Sequence, residues 1–280
     1  EAGINVEDIK TWDDMIAACK KLDETFMGKG DYLMAFNPIL GNLGFTTLAI
    51  NNGGGIFDDL MNPNEPTANS PENIETLEHM KVFADMYGQE LVQKAIAANA
   101  SGAQDLFLSR KVAMIGNVCN YIATIETYNA EAQVDYGVFP YPAGPSSKTG
   151  EPAAFGGGFV CTVPYGAPHP KESTLLAEFM ATEGAKIWGE EQKDVMCSIE
   201  ANENPAMANS IGWAETVALI ENTYGARRHI YATNASSFVD DAVNAIVRDF
   251  TATDVKAGLD NAQQQILDKI EEEKFIFGIE

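Results

Sequence analysis

Basic residues, histidines and cysteines are all scarce in this sequence. Lysine and arginine together number 18, against 41 aspartates and glutamates, and the formal net charge is −23. A field of this sign repels phosphate backbones and anionic lipid surfaces, so we expect no nucleic acid among the partners. The acidic excess itself is typical of a solvated coat that keeps a protein soluble.

Long apolar runs are also missing. No window approaches the roughly 20 apolar residues that a membrane-spanning helix needs. The chain opens with EAGINVEDIKTWDDM, which has neither the basic n-region nor the apolar h-region of a secretion signal. We therefore expect either that the mature N-terminus lies here or that an upstream part has been left out. The chain has 280 residues, 45% of them apolar, which is enough for two domains or one large one.

The cysteines and histidines show none of the spacings of metal sites. The four cysteines are widely separated and contain no C-x-x-C pair, which argues against a zinc site and against a disulfide framework, although one bridge remains open. They are Cys19, Cys119, Cys161 and Cys197. The three histidines form no H-x-x-x-H pair, so a metal centre built on imidazole is not expected. We predict no metal and no cofactor.

Catalytic motifs are equally sparse. Neither glycine run, Gly53 to Gly55 or Gly156 to Gly158, is followed by the lysine and hydroxyl of a phosphate-binding loop, and there is no G-x-S-x-G elbow. Asp240 and Asp241, at the predicted start of a helix, are the one acid pair that merits attention, because glycoside hydrolysis uses two carboxylates. The sequence thus favours a protein that is not an enzyme, with a secreted carbohydrate-active enzyme as the alternative.

Several helices are predicted by apolar periodicity and by their caps. Thr11 and Asp14 form a capping-box pattern before an apolar stripe that includes Cys19 as a small core residue. Ser70 as N-cap and Pro71 at the first helical position begin a second helix. A third runs from Pro170 to about Met180, and two more close the chain, the last one capped by Thr253.

Short strands are predicted between these helices. The segments are DYLMAF, KVAMI, VDYGVFPYP and FVCTVP, and the stretch from Ala143 to Pro152 is the best candidate for a linker or crossover. Strands that alternate with helices predict an α/β fold with short sheets. The strand KVAMI continues into Gly116, Asn117, Val118, Cys119, Asn120 and Tyr121, so it ends in amides, a thiol and a phenol.

The order of these segments resembles that of a known protein family. AGI, then TWDDMIAACKKL, FTTLAINNGGGIFDD, NSPENIETLEHMKVFADMYG, AQDLFLSRKVAMIGN, VDYGVFPYPAG and FGGGFVCTVPYGAPHPKESTLLAEFM follow one another through nearly the whole chain. Taken together, they resemble the extracellular solute-binding proteins of ABC importers, and within these the carbohydrate-binding family 1 that includes maltose-binding protein.

This resemblance implies a periplasmic-binding-protein-like fold of two α/β lobes that close by a hinge on a sugar in the cleft between them. On that basis residues 1–153 and 228–280 are expected to form an essentially complete C-terminal-type lobe. Residues 154–227 are expected to form part of an N-terminal-type lobe, and the N-terminal part of the first lobe is expected to be lacking. We therefore expect the chain as given to bind sugar weakly or not at all.

The resemblance also implies where the ligand lies. Strand ends and the loops after them line the cleft, because ligands of open α/β sheets bind at the carboxyl ends of the strands. Sugars are held there by amides, carboxylates, phenols and an aromatic face. The positions carried over are Asn42, Phe45, Asn117, Asn120, Tyr121, Phe155, Gly156, Gly157, Gly158, Asn234, Ser237 and Asp240.

Two departures from the family pattern concern the ligand and the start of the chain. Family members often carry a tryptophan after the AM strand as a stacking platform, whereas Asn120 and Tyr121 stand here, so stacking is expected on Tyr121, on Phe45 or on an aromatic outside this chain. The family normally has a signal peptide, often a lipid-modified cysteine, and about a hundred further residues before the TWDD helix.

The implied role is capture of a sugar or oligosaccharide and its delivery to ABC permease subunits. The protein is then a monomer at the extracellular face of the membrane, lipid-anchored, or in the periplasm. A sugar-sensing receptor domain with the same fold is a further alternative.

Overall fold

The computed structural model describes residues 1–58, 65–225 and 228–278. Its contacts divide the chain into two units. The first contains Glu1–Gly116, Tyr141–Gly156 and Glu221–Glu280, and the second contains Asn117–Pro140 and Gly157–Ile220. Residues 117–140, which the sequence analysis placed in the larger lobe, are thus grouped with residues 157–220. The division into lobes of a whole binding protein stays a prediction.

Helices dominate the described residues. In chain order they are α1 (Trp12–Phe26), α2 (Gly44–Asn51), α3 (Pro71–Ala98), α4 (Tyr121–Ala132), α5 (Pro170–Ala181), α6 (Glu183–Gln192), α7 (Ile199–Asn202), α8 (Pro205–Ala208), α9 (Trp213–Ala218), α10 (Ala235–Val247) and α11 (Val255–Ile276). Two short strands, β1 (Ala154–Phe155) and β2 (Thr223–Tyr224), pair in parallel.

The helix starts follow the predicted caps, with one exception. At α1, Asp14 N donates to Thr11 Oγ1 at 3.1 Å, and Thr11 N donates to Asp14 Oδ2 at 2.9 Å, so the capping box is confirmed. At α3, the Ser70 hydroxyl caps the helix and Pro71 is its first residue, as expected. The predicted cap of α11 is wrong: Asp254, rather than Thr253, accepts the bond from Ala257 N, at 2.9 Å.

The core of the first unit lies between four helices. Apolar faces of α2, α3, α10 and α11 pack together, and each face repeats with the period of a helix. The most deeply buried members are Leu48, Leu77, Met80, Leu259 and Ile266. A smaller apolar cluster surrounds Met34, Leu106 and Val112. The burial of this much apolar surface stabilises the first unit.

Most of the predicted strands do not form regular hydrogen-bonded ladders. DYLMAF and KVAMI run in parallel but form only an isolated bridge, Met34 to Val112. Ala113 N and Met114 N both donate to Ala35 O, at 3.1 and 2.8 Å, so the even spacing of a parallel ladder is broken. The burial expected for DYLMAF is confirmed, since the residues from Leu33 to Phe36 are all buried.

The other two strand predictions are wrong in this structure. The segments VDYGVFPYP and FVCTVP have no ladder partner among the described residues. An apolar run shows that a segment is suited to a sheet, but a strand forms only where a neighbouring segment supplies its hydrogen bonds. FVCTVP is instead largely exposed, with Phe159 and Val160 at 102% and 84% of their full accessibility.

Two adjacent asparagines fasten the predicted crossover to the first unit. Asn51 Nδ2 donates to Pro142 O at 2.8 Å, and its Oδ1 accepts from Ala153 N at 2.9 Å. Asn52 Oδ1 accepts from Ser146 N at 2.9 Å, while its Nδ2 donates to Glu72 O at 2.9 Å. Residues 141–153 therefore take their backbone partners from two buried side chains that end α2, rather than from a sheet.

The second unit packs α4 against α6 but leaves much apolar surface open. Its buried side chains are Ile122, Ala123, Ile125, Ala185, Ala201, Met207 and Trp213. Helix α5 carries the predicted apolar face, yet Leu175, Leu176 and Phe179 are exposed. Large apolar side chains that are exposed together often mark a place where another part of a protein or a ligand binds.

We expect Asn51→Ala to lower the free energy of unfolding of the first unit by about 2–4 kcal/mol, because buried backbone groups lose their partners. Urea denaturation followed by circular dichroism measures this. Asn99→Ala, at an exposed asparagine of the same unit, is the control and is expected to change it by less than about 0.5 kcal/mol. Equal effects of the two variants would contradict the anchoring role.

By contrast, replacing an exposed apolar residue of α5 is expected to change the free energy of unfolding only slightly. Leu176→Glu leaves the free energy of unfolding within about 0.5 kcal/mol of the parent, since its side chain is not buried in this chain. It also reduces the fluorescence of a bound hydrophobic dye such as ANS. Leu77→Ala, in the core of the first unit, is the contrast and costs about 2–5 kcal/mol. A Leu176→Glu variant that unfolds would show that α5 is buried after all.

Candidate functional site

The ends of the two apolar segments of the first unit meet. Gly41 and Gly116 form a parallel bridge, and Asn42 N donates to Gly116 O at 2.9 Å. The approach is close: a Cβ on Gly41 would lie 2.3 Å from Gly116 O, and Gly41 has φ +82°. Only glycine fits there, and this places the exposed Asn42 beside the residue that precedes Asn117.

Asn117, Asn120 and Tyr121 lie together at the start of α4 in the second unit. All three are partly exposed. Asn117 Oδ1 accepts from Val118 N at 2.9 Å. Asn120 is the N-cap of α4, but its side chain makes no capping bond to the described helix. This short stretch therefore concentrates two side-chain amides and a phenol at a helix start. Gly157 also belongs to the second unit and is exposed.

The structure does not offer Phe45 as a stacking platform. Its side chain is only 4% exposed and belongs to the core of the first unit. Phe45 is the second residue of α2, and the helix turns its ring inwards beside Leu48. Tyr121 is therefore the aromatic residue that remains from the two that were predicted for stacking.

Phe155 and Gly156 lie where β1 pairs with β2. Gly156 N donates to Tyr224 O at 2.9 Å, and a Cβ on Gly156 would meet Thr223 Cγ2 at 2.4 Å. Phe155 is 40% exposed. The glycine at this position is thus required for the close strand pairing, whether or not its backbone also meets a ligand.

The residues predicted near the last crossover are on or next to α10. Asn234 is its N-cap, and Ser237 Oγ donates to Asn234 O at 2.7 Å. Asp240 lies in the middle of α10 rather than at its start, which corrects the sequence prediction. Partial burial and the neighbouring Asp241 raise the pKa of Asp240. Consecutive helix residues do not face each other, so this pair is not arranged across a bond to be cleaved.

Cys119 is held as a neutral thiol. Its Sγ donates to Asp194 Oδ1 at 3.1 Å, and Trp188 Nε1 donates to the other oxygen of the same carboxylate, also at 3.1 Å. Burial above all, and then Asp194, raise the pKa of Cys119 to about 11. A thiol of this kind is a poor nucleophile. All four cysteines are free in the structure.

Residues 1–187 match the family model of the bacterial extracellular solute-binding proteins. The chain belongs to this family. The resemblance stated from the order of segments is thereby confirmed, and the solute-binding fold accounts for a chain that splits into two units.

Solved structures agree with this solute-binding fold. CpMnBP1 with mannobiose bound has 21% identity and a TM-score of 0.78, over 95% of this chain and 66% of that one. The sugar-binding protein MalE from Xanthomonas citri has 15% identity and a TM-score of 0.73, over 100% and 68%. MalX from Streptococcus pneumoniae, in complex with maltopentaose, has 20% identity and a TM-score of 0.67, over 94% and 67%. A comparison with curated protein sequences gives no match.

The chain therefore spans about two thirds of the length of these structures, between 66% and 68% in the three cases. The described part of the solute-binding protein contains no helix that is both long and apolar enough to cross a membrane. In the same residues, no three or more histidine, cysteine and acidic side chains gather as a metal site would require.

An aromatic cluster that sequence analysis missed lies where the chain re-enters the first unit. His79 stacks on Trp12 with ring centroids 4.0 Å apart, and His79 Nε2 lies 2.7 Å from the Tyr141 hydroxyl. Trp12 Nε1 donates to Pro142 O at 3.1 Å. His79 is in the core stripe of α3, so its sequence position gave no sign of a polar partner 62 residues away.

The cluster makes the first unit sensitive to acid. Burial lowers the pKa of His79 to about 4, from 6.5 for the exposed group. The unfolded chain therefore binds a proton between these two values and the folded one does not, so stability is complete above pH 6.5 and is lost as pH falls towards 4. We expect the free energy of unfolding to drop by about 2 kcal/mol from pH 7 to pH 5 through this group.

The measurement is a urea denaturation at each pH for the parent and for His79→Gln, whose difference isolates this group from the carboxylates. The pH-dependent drop is expected to shrink by about 2 kcal/mol in His79→Gln. His169→Gln, at an exposed histidine, is the control and keeps the parental slope. Parallel pH profiles of all three proteins would show that His79 is not buried in its neutral form.

Proposed function

We propose that the chain is the ligand-binding component of an ABC importer, which captures a sugar or oligosaccharide and delivers it to the permease subunits. The observation that carries the proposal is the grouping of Asn117, Asn120 and Tyr121 at the start of α4, directly after a segment whose end is fixed by the bridge at Gly116. Family membership supports solute binding, and the sugars named for the neighbouring structures support the ligand class.

The chemistry of these side chains suits a carbohydrate. An amide group both donates and accepts, so Asn117 and Asn120 match the alternating donors and acceptors of vicinal hydroxyls. The Tyr121 ring offers an apolar face that suits the C–H side of a sugar ring. Asn42, in the first unit, is a further exposed amide that the resemblance assigns to the ligand. Neutral groups of this kind bind uncharged oligosaccharides, whereas an anionic ligand would call for arginine or lysine.

Asn37 extends this set beyond the residues predicted from sequence. It follows the buried segment that ends at Phe36, it is 2% exposed, and its Oδ1 accepts from Ile39 N at 3.1 Å. Its Nδ2 is buried and makes no hydrogen bond to the described residues. We propose that Asn37, through its bond to Ile39 N, helps to fix the loop that carries Asn42. Its buried donor without a bond has a cost in free energy.

The proposal includes binding without turnover. Asp240 and Asp241, the acid pair considered for glycoside hydrolysis, lie side by side on α10 and do not oppose each other. The family implies further parts of this role. These are hinge closure on the ligand, a monomeric state, and a location either at the extracellular face of the membrane, with a lipid anchor, or in the periplasm. On the same basis the exposed apolar face of α5 and FVCTVP belongs to the interior of the partial lobe.

Titration with mannobiose and with maltose tests the proposal, by following the backbone amide signals of the chain in heteronuclear NMR spectra. Since the chain as given is expected to bind sugar weakly, we expect small shifts at residues 117–121, at millimolar concentrations of at least one of the two sugars. Tyr121→Ala is expected to weaken binding at least tenfold, about 1.4 kcal/mol, because it removes the stacking face. A chromogenic glycoside added to the same sample is expected to stay intact.

The matched control is Tyr128→Ala, which removes another exposed tyrosine of α4 and is expected to bind sugar as the parent does. If the chain binds either sugar with equal affinity before and after Tyr121→Ala, this site is not the sugar site. Sustained hydrolysis of the glycoside would overturn the non-enzymatic role.

A further inference from the structure

A pocket of about 190 Å3 lies within the first unit, and none of residues 117–121 lines it. Its apolar floor is formed by Phe45, Ala49 and Ile50 on one face of α2. Gly53 to Gly55 form one side, and residues 147–149 form another. Tyr224, at the end of β2, also lines the pocket.

The walls of this pocket are held in place by bonds that are already described. Ser146 N and Ala153 N are fixed by the side chains of Asn52 and Asn51, so the segment that carries residues 147–149 is anchored at both ends. Gly53 is equally constrained: its φ is +80°, and a Cβ there would lie 2.9 Å from Ser146 O. The pocket is therefore preformed, as binding sites for small molecules usually are.

The polar lining has an unexpected charge. Although 41 of the 280 residues are acidic, none of the described residues that line the pocket is aspartate or glutamate. The one charged lining residue is Lys148, for which no ion pair is found among the described residues. Its Cγ lies 3.6 Å from the position of a Cβ on Gly53, so its stem runs along the glycine wall. Hydroxyl groups of Thr46 and Tyr224 complete the lining.

We propose that this pocket is a second binding site, for a small molecule that consists of one six-membered ring bearing a carboxylate. The ring lies on the apolar floor of α2, and the carboxylate pairs with the Lys148 ammonium at the rim. The volume limits the ligand to about one ring, because pockets for drug-sized molecules run from roughly 300 Å3 upwards. In a chain that repels anions elsewhere, a lysine in an acid-free pocket selects an anion locally.

An aromatic acid and a uronic acid share this chemistry, and the experiment separates them. Benzoate and glucuronate are titrated separately into the isotope-labelled 280-residue chain, with benzyl alcohol and glucose as the uncharged counterparts. We expect benzoate or glucuronate to shift the amide signals of Gly53, Gly55 and Lys148, and to bind at least fivefold more tightly than its uncharged counterpart. If neither acid moves these signals at millimolar concentration, the pocket is not such a site.

Two variants test the two halves of the proposal. Lys148→Met keeps the stem but removes the charge, and it is expected to weaken binding of the acid at least fivefold. Thr46→Trp fills the pocket and is expected to abolish binding of the ring. Lys94→Met, at an exposed lysine on α3 of the same unit, is the control and binds as the parent does. Unchanged affinity in Lys148→Met, or in a folded Thr46→Trp protein, overturns the assignment.

This second site does not depend on sugar binding. Its signals lie at residues 53–55 and 148, whereas those of the proposed sugar site lie at residues 117–121. A chain that binds mannobiose but neither acid supports the first proposal and overturns the second, and the reverse pattern does the opposite.

Discussion

The amide side chains of Asn51 and Asn52 are the contacts on which the rest of the first unit depends. Both are buried, both sit at the end of α2, and together they supply partners to Pro142, Ser146 and Ala153. A segment without regular secondary structure can enter a protein interior only if its peptide groups are paired. Here two adjacent side chains supply hydrogen bonds that a neighbouring strand would supply in a sheet. The segment from residue 141 to 153 is thereby fixed without becoming a strand.

Other features of the unit follow from this anchoring. The Tyr141 hydroxyl reaches His79 because the chain at Pro142 is held from two sides, by Asn51 and by the Trp12 indole. The short strand β1 begins directly after the bond at Ala153 and can therefore pair with β2. The glycine run after Asn52 then lies close to Ser146, and the pocket wall is a consequence of that closeness. The site for a ring carboxylate and the position of the crossover have one physical origin.

Much of the helical framework and of the family could be predicted from the sequence, because both depend on local or ordered signals. The caps at Thr11 and Ser70, the apolar stripe with Cys19 and the order of segments all behaved as expected. The strands did not, since FVCTVP has the composition of a strand but lacks a neighbour in this chain. Phe45 failed for a related reason: an aromatic residue near a predicted cleft looks the same in sequence whether its helix turns it outwards or into the core.

The contacts missed from sequence were those between distant polar residues. The stretch NNGGG gives no local sign of these contacts, because asparagine and glycine together usually mark a turn. That the two amides reach across about 90 residues is not encoded in any local pattern. Likewise, His79 occupies a core position of α3, and only the fold shows that it has a tyrosine partner. Hydrogen bonds between polar residues that are far apart in the chain are therefore the contacts that are hardest to predict from one sequence.

The sequence Asn52-Gly53 also has a chemical consequence. Asparagine before glycine is prone to deamidation in a mobile chain, and asparagine is among the residues that limit proteins at high temperature. In the fold Asn52 is fully buried, and its Nδ2 donates to Glu72 O and, at 2.8 Å, to Glu75 Oε2. An aspartate formed during a brief unfolding would bring a second carboxylate against Glu75, and the chain would not regain its native contacts. The chemical lifetime of this protein is thus tied to how rarely its first unit opens.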